Sequence, residues 1–350
     1  MTGPAPPPPP SARRRTLRLA LAGGVTGLLL AGVGSAVGWR EIANVAAGID
    51  PALALAAVGL VLVTRLAETA QMVWILRRSG IAIGGLRVLM AKSLGVLYGV
   101  VLPGDLVGGL AKWSSLAATT GRGPATFQGV VYNRAVLLGA EATIGLTALL
   151  VLPPWRSPVA TAGAACFALV ILAALTAAYH PRWGRGLDRR ALALAGRWAP
   201  ARARRWGRSV SAAADPFRAF SGREHLGFYL GGCAIVALRC TVLITWSRAL
   251  AVDVPWLALV WVKALLSFLR QLPISFGGLG LRESALVVLL APFGVPAEQA
   301  FALGLVAFTG TVVFALVGLV SQALVIAGIV RWRGAPPEPA DPGTDGLEKA

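Results

Sequence analysis

Long apolar runs alternate along this chain with short segments rich in Arg or in Pro and Gly. A run of about 20 apolar residues is long enough to cross a hydrocarbon core about 30 Å thick. The pattern predicts six full transmembrane helices, at about residues 17–38, 51–76, 126–152, 157–180, 225–250 and 297–330. Two further apolar segments, at about 84–121 and 255–293, are each broken in the middle by Pro and Gly.

The composition is that of a membrane protein, and it affects how the positive net charge is interpreted. Hydrophobic residues make up 56% of the 350 residues, charged residues 14%, and the mean hydropathy is +0.70. Soluble domains carry about 25% charged residues. The net charge of +18 lies mostly between the apolar runs, which is the positive-inside pattern and not a nucleic-acid-binding surface. We therefore expect an all-α polytopic protein of the cytoplasmic membrane with both termini in the cytoplasm.

Three regions follow from the same pattern. Residues 1–16 are a Pro- and Arg-rich segment predicted to be disordered, 17–333 form the transmembrane domain, and 334–350 are a disordered tail. Within the domain, residues 181–223 form a basic loop with ten Arg between Pro181 and Arg218. Trp183, Trp198 and Trp206 in this loop are typical of an amphipathic helix on the inner leaflet; the alternative is a linker that only sets topology.

The cations also predict how the two broken segments are placed. Arg77 and Arg78, with Arg87 and Lys92 close behind, are assigned to the cytoplasm, as are the basic loop and Arg122. Segment 84–121 then begins and ends inside, whereas segment 255–293 begins and ends outside. This predicts two re-entrant helical hairpins that enter from opposite faces as an inverted repeat. The alternative is eight full spans.

The two breaks have similar sequences. The first is Leu102-Pro103-Gly104-Asp105 followed by Gly108-Gly109 and Lys112; the second is Leu272-Pro273 through Ser275, Gly277-Gly278 and Gly280 to Arg282-Glu283. Pro removes a backbone donor and Gly loosens a helix, so polar backbone groups become available at membrane depth. Such breaks are tolerated only where they are buried in protein or line a wet cavity.

These two stretches, together with the Asn133-Arg134 pair, resemble the transmembrane domain of lysylphosphatidylglycerol synthases, the flippase-like half of the multiple-peptide-resistance factor. The resemblance covers about residues 17–331. It implies a stand-alone, flippase-like member, because only a short tail follows Arg333 where an aminoacyl-transferase domain would lie. The implied function is lipid translocation, or service to a lipid-linked pathway, and not lipid synthesis.

Charges inside the apolar segments supply the candidate substrate-binding residues. Arg282 is the strongest candidate for a phosphate contact, since its planar fork matches phosphate oxygens. Adjacent helical residues diverge by about 100°, so we expect Arg282 and Glu283 to have separate partners, with Arg239 or Lys263 as possible partners of Glu283. The full set is Pro103, Gly104, Asp105, Gly108, Gly109, Lys112, Arg134, Arg239, Lys263, Arg270, Ser275, Gly277, Gly278, Gly280, Arg282 and Glu283.

Several of these residues have a structural alternative. Asp105 either caps the second half-helix or belongs to an anion site at its N-terminus, where Gly108 and Gly109 would let a headgroup approach. Arg65 and Glu68, three residues apart, form either a structural ion pair or part of a polar cavity. Arg239 lies too deep in its helix to reach water easily, so it should face protein or a wet cavity.

Signatures of enzymes are scarce in the sequence. It contains no GxSxG, P-loop or HExxH motif, only two His, and three Cys without metal-ligand spacing. We expect no cofactor and no metal. The leading hypothesis is a flippase for an anionic or aminoacylated phospholipid, or for a polyprenyl-phosphate-linked lipid. The alternatives are a membrane-embedded transferase acting on such lipids and a scaffold for a separate lipid-modifying enzyme.

Overall fold

Ten α-helices account for most of the residues that the computed structural model describes, namely 47–101, 105–151, 183–196, 211–270 and 280–327, with scattered positions at 40–45, 162–180 and 207–209. The helices are α1 Pro51–Arg78, α2 Gly85–Val101, α3 Asp105–Thr120, α4 Gly123–Val151, α5 Trp183–Gly196, α6 Asp215–Arg218, α7 Gly222–Ala249, α8 Trp256–Leu269, α9 Leu281–Leu290 and α10 Ala297–Ile326. The predicted first helix, both terminal tails and most of the predicted helix 157–180 lie outside the described residues.

Four of these helices, α1, α4, α7 and α10, are long and apolar enough to cross a membrane. They correspond to four of the six predicted spans, and the all-α polytopic fold is confirmed for the described chain. The remaining apolar helices α2, α3, α8 and α9 are shorter, with 17, 16, 14 and 10 residues. At 1.5 Å per residue, α9 is only about 15 Å long, half of the hydrocarbon thickness.

Helices α1 and α7 pack against each other in antiparallel orientation, and contacts at both ends hold them in register. At one end Asp50 caps α1, and its backbone N–H donates to the carbonyl of Ala249 at the end of α7 (2.9 Å). At the other end Arg78 forms an ion pair with Glu224, which also belongs to the capping box that starts α7. The termini of the two helices thus define two opposite ends of the molecule.

The first broken segment folds back on itself, and it begins and ends at the end of the molecule that contains Arg78. Helices α2 and α3 pack side by side, and a Cβ added to Gly95 of α2 would lie 2.8 Å from the carbonyl oxygen of Gly108 in α3. Beyond α3, the Arg122 side chain donates to the carbonyl of Gly80, which precedes α2 (3.1 Å). Both ends of this hairpin therefore lie at one end of the molecule, as predicted. That the hairpin enters the bilayer and leaves it on the same side stays a prediction.

The second broken segment starts at the opposite end, after the turn in which Ser247 and Val252 exchange hydrogen bonds. Helix α8 packs on α4, and α9 packs on α8 and α10. The start of α9 lies beside the middle of α10, because Arg282 stacks on Phe308 of that helix. The start of α9 thus lies inside the protein, and the predicted break at residues 271–279 lies outside the described chain.

Helix α10 contacts both hairpins through glycine positions. A Cβ at Gly304 would lie 2.9 Å from the Glu283 side chain of α9, and one at Gly310 would lie 2.8 Å from Val61 of α1. Gly318 packs against the backbone of Ser93 in α2, and the Ser93 and Ser321 hydroxyls are 3.3 Å apart. Small residues of this kind allow helix backbones to approach closely in membrane proteins.

The basic loop contains helix α5, as expected. Trp183, Leu187 and Leu194 are exposed on one face of α5, whereas Asp188 forms an ion pair with the buried Arg218 (2.8 Å). The described part of the loop thus contains a helix with an exposed apolar face, and whether that helix lies on the inner leaflet or the loop only sets topology stays a prediction. Trp198 and Trp206 lie outside the described residues.

Candidate functional site

A buried carboxylate, Glu68, lies at the centre of a charge network that joins three helices. Its Oε2 atom is 3.0 Å from Nζ of Lys92 on α2 and 3.4 Å from Nη1 of Arg65 on α1. Its Oε1 atom accepts hydrogen bonds from Nε and Nη2 of Arg239 on α7, at 2.9 and 2.7 Å. The predicted Arg65–Glu68 pair is therefore present, but it is one edge of a larger network.

Arg239 extends the network to a fourth helix. Its Nη1 atom donates to Oε1 of Glu141 on α4 at 2.5 Å, so one guanidinium binds two carboxylates from two helices. The expectation that Arg239 faces protein is confirmed. The second oxygen of Glu141 is buried and has no hydrogen-bond partner among the described residues. A buried polar atom in this state calls for an unseen water or ligand.

Helix α8 contributes further positive charge. Lys263 interacts electrostatically with Glu141 and with the like charges of Arg239 and Arg270. Arg270, at the C-cap of α8, also lies close enough to Arg65 and Arg282 to repel their positive charges. The shared face predicted for Lys263 and Arg270 agrees with this proximity.

Counting the described charged groups in this region shows a marked imbalance. The cations are Arg65, Lys92, Arg239, Lys263, Arg270 and Arg282, and the carboxylates are Glu68, Glu141 and Glu283. Six cations face three carboxylates in a part of the chain where charge is costly. The described charged side chains of this region are all buried or half-buried, and together they carry a net positive charge.

The expectation that Arg282 and Glu283 have separate partners is wrong. They form an ion pair with each other, in which Nε of Arg282 donates to Oε1 of Glu283 at 3.1 Å. The reason is their position in the first turn of α9. The Glu283 carboxylate folds back to accept the N–H of Gly280 at 2.6 Å, and the long Arg282 side chain reaches it there. Their Cβ directions alone do not decide the contact.

Glu283 fixes the start of α9 and is fully buried. Gly280 precedes the helix with φ of 80°, a conformation that favours glycine, and Gly304 of α10 covers the Glu283 side chain. Both carboxylate oxygens are therefore occupied, one by backbone and one by Arg282. The suggested pairing of Glu283 with Arg239 or Lys263 does not occur among the described contacts.

Aromatic rings on α10 cover two of the cations. The Arg65 guanidinium lies 5.0 Å from the centre of the Phe314 ring, and that of Arg282 lies 5.2 Å from the centre of Phe308. A guanidinium over an aromatic face is stabilised by the ring quadrupole. The arrangement holds both planar groups in fixed orientations beside the network.

The first hairpin reaches the network through a residue that sequence reasoning misplaced. Lys92 was assigned to the cytoplasmic surface, but its side chain is buried and bound to Glu68. The available signal was its position within the apolar run 88–101, which also lacks the neighbouring cations of a surface segment. Helix α3, which carries Lys112, packs mainly on α2 and α4 rather than on the second hairpin.

The glycines of the first hairpin have different surroundings. Gly108 is buried against Gly95, so it serves the close contact of α2 and α3. A Cβ on Gly109 would meet no described atom within 4 Å, which leaves this side of α3 accessible. Asp105 is the first residue of α3, where a carboxylate complements the helix dipole, but its side chain lies outside the described residues.

The remaining candidate residues lie on α4 or outside the described part of the chain. Arg134 lies half-buried on α4, two turns from Glu141. Its neighbour Tyr132 places its hydroxyl 2.7 Å from Nδ1 of His225, at the end of the molecule that contains the basic loop. Pro103, Gly104, Ser275, Gly277 and Gly278 lie outside the described part of the chain.

The fold and its charge network define a multi-pass helical membrane protein with a buried polar centre. The model of the family described as "Lysylphosphatidylglycerol synthase TM region" matches residues 16–334, nearly the whole chain. The protein belongs to this family, which gives it a role related to membrane lipids. A comparison with curated proteins finds no match.

Proposed function

We propose that the protein moves an anionic lipid between the leaflets of the cell membrane, with the phosphate of the headgroup bound by the buried cations. The observation that carries this proposal is the excess of six cations over three carboxylates among the described residues of α1, α2, α4, α7, α8 and α9. A net anionic headgroup balances that excess, whereas an aminoacylated headgroup brings an additional cation.

The two hairpins support the same proposal. They begin at opposite ends of the molecule, and Lys92 from the first and Lys263, Arg270 and Arg282 from the second face one interior region. Broken helices that meet near the midplane are typical of secondary transporters with inverted repeats. A headgroup bound there is accessible to either leaflet after small movements of the hairpins.

The test is lipid movement in proteoliposomes that contain the purified full-length protein. A fluorescent phosphatidylglycerol in the inner leaflet escapes chemical quenching from outside unless the protein moves it. Arg282→Ala removes a charge-assisted contact worth about 1.5–3 kcal/mol, so we expect transport to fall roughly tenfold to a hundredfold. Arg282→Lys should recover only part of the rate, because an ammonium lacks the planar fork.

Variants enter the comparison only if they are folded and membrane-inserted. Wild-type rates for Arg282→Ala would contradict the assignment of a phosphate contact to this residue. If the wild type moves none of a panel of anionic, zwitterionic and aminoacylated phospholipids and polyprenyl phosphates, the proposal of lipid transport is wrong. The transferase and scaffold hypotheses then replace it.

A further inference from the structure

Glu68 differs from an ordinary structural carboxylate in the nature of its partners. All of its described hydrogen bonds and ion pairs are to side-chain cations, Arg65, Lys92 and Arg239, which come from three helices. None of these contacts involves the backbone of a neighbouring element. A ring of cations around one small anion is also the arrangement that a phosphate group requires.

We infer that Glu68 is an internal counter-anion that occupies the phosphate position while no lipid is bound, and that the headgroup phosphate competes with it for Arg239 and Arg65. This inference rests on the proposed function and deepens it. It makes the acid of the network part of the binding cycle, because release of the guanidinium groups from Glu68 accompanies lipid binding and their return to Glu68 accompanies lipid release.

The accessibility of the network gives the exchange a direction. The exposed fraction of the side chain is 23% for Arg65 and 18% for Arg239, but only 10% for Lys92 and 4% for Glu68. A headgroup can therefore reach the two guanidinium groups first, while Lys92 stays with Glu68 at the closed end. Lys92 prevents the displaced carboxylate from becoming an unpaired buried charge, which is costly.

Glu141 supplies a second reason for exchange at Arg239. Its Oε1 atom is bound to Arg239, so this guanidinium divides its donors between two carboxylates. A phosphate also presents several oxygens and can replace one of these carboxylates while the other keeps the guanidinium oriented. Glu68 is the one replaced, since Lys92 stays bound to it and balances its charge.

Binding of lipid to purified full-length protein in neutral detergent tests the exchange. Glu68→Gln removes the competing anion but retains the side-chain size, so we expect phosphatidylglycerol to bind about tenfold tighter or more, the scale of one charge-assisted hydrogen bond. Thermal stability should fall in phosphatidylcholine and recover when phosphatidylglycerol is added. The matched control is Asp50→Ala, which removes the cap of α1 and releases no cation among the described contacts, so its loss of stability should not recover.

Two further measurements complete the test. Inorganic phosphate, added to Glu68→Gln at constant ionic strength, shows whether the phosphate group alone restores stability or the acyl chains are needed. Either result supports the exchange. Glu68→Asp keeps the charge but shortens its reach, so it should tighten binding by a few-fold, and it substitutes for Glu68→Gln if that variant does not fold.

Unchanged or weaker phosphatidylglycerol binding in both Glu68 variants would overturn the inference, as would equal recovery of Glu68→Gln and Asp50→Ala. The proposed function fails in a different way. If the wild type moves lipid and the Glu68 variants bind no tighter, transport stands without the exchange. If the variants bind tighter and the wild type moves no lipid, the exchange site stands without transport.

Discussion

The two hairpins have similar sequences at their breaks but supply charge to the interior in different ways. The first delivers Lys92 from the middle of α2, where Gly95 and Gly108 bring its arms together. The second delivers Arg282 from the start of α9, next to its break, where Glu283 fixes the helix terminus. Similar breaks therefore accompany different described contacts: Lys92 binds Glu68 from the middle of α2, and Arg282 binds Glu283 at the start of α9.

The largest expected effect concerns the placement of the hairpins in the membrane. In a background without Cys166, Cys233 and Cys240, single cysteines replacing Arg87 and Arg122 should react only with a reagent added to the cytoplasmic side. Cysteines replacing Pro255 and Pro296 should react only from outside, because the second hairpin enters from the opposite face. Reaction of the Arg87 and Arg122 positions from opposite sides would restore the eight-span alternative.

The second effect concerns the start of α9. Glu283→Gln leaves Arg282 without its buried partner and weakens the contact with Gly280, so we expect a loss of about 3–5 kcal/mol in the free energy of unfolding. Thermal unfolding in detergent measures it. Glu298→Gln, in the first turn of α10, is the matched control and should change stability little. Normal stability together with lost activity would instead identify Glu283 as a functional carboxylate.

A smaller effect is expected for the first hairpin. Lys92→Met removes one of three cations from Glu68, and Arg65 and Arg239 remain. The expected loss of stability is about 1.5–3 kcal/mol, the range for a hydrogen bond to a charged group. Arg87→Met on the same helix is exposed and should be neutral in the same unfolding assay. Equal effects of the two substitutions would contradict a buried role for Lys92.

The smallest effect tests the contact between the arms of the first hairpin. Gly95→Ala places a Cβ 2.8 Å from the Gly108 carbonyl oxygen, which only a backbone shift can relieve. Overpacking of this kind costs about 1–3 kcal/mol. Gly109→Ala on α3 meets no described atom within 4 Å and should be neutral or slightly stabilising, since Ala favours helices. The difference between their unfolding midpoints measures the contact.

Four of the six predicted spans and the helices on either side of each predicted break are found among the described residues, because hydropathy and backbone breaks are local signals. The Arg65–Glu68 ion pair is equally predictable from the sequence, because the two residues lie three apart on one helix. By contrast, the Lys92–Glu68 and Arg239–Glu141 contacts depend on which helices become neighbours. No local pattern contains that information, so the centre of the network was found only in three dimensions.

Arg282 and Glu283 show a different limit of sequence reasoning. The 100° divergence of adjacent helical residues holds within a helix, but these residues lie in its first turn. There, the N–H of Gly280 has no acceptor within the helix, so the Glu283 carboxylate folds back and accepts it. The Arg282 guanidinium then donates to the same carboxylate. A capping rule applied to Gly280 and Glu283, which are three residues apart, was the signal that could have predicted this arrangement.

Helix α10 packs against α9, α1 and α2 at separate points along its length, so it connects the two hairpins. Gly304 faces α9, Gly310 faces α1 and Gly318 faces α2. A slide of one residue along its axis, about 1.5 Å, carries Phe308 and Phe314 together past the guanidinium groups that they cover. In the predicted arrangement, with hairpins entering from opposite faces, one helix is thus in contact with both of them.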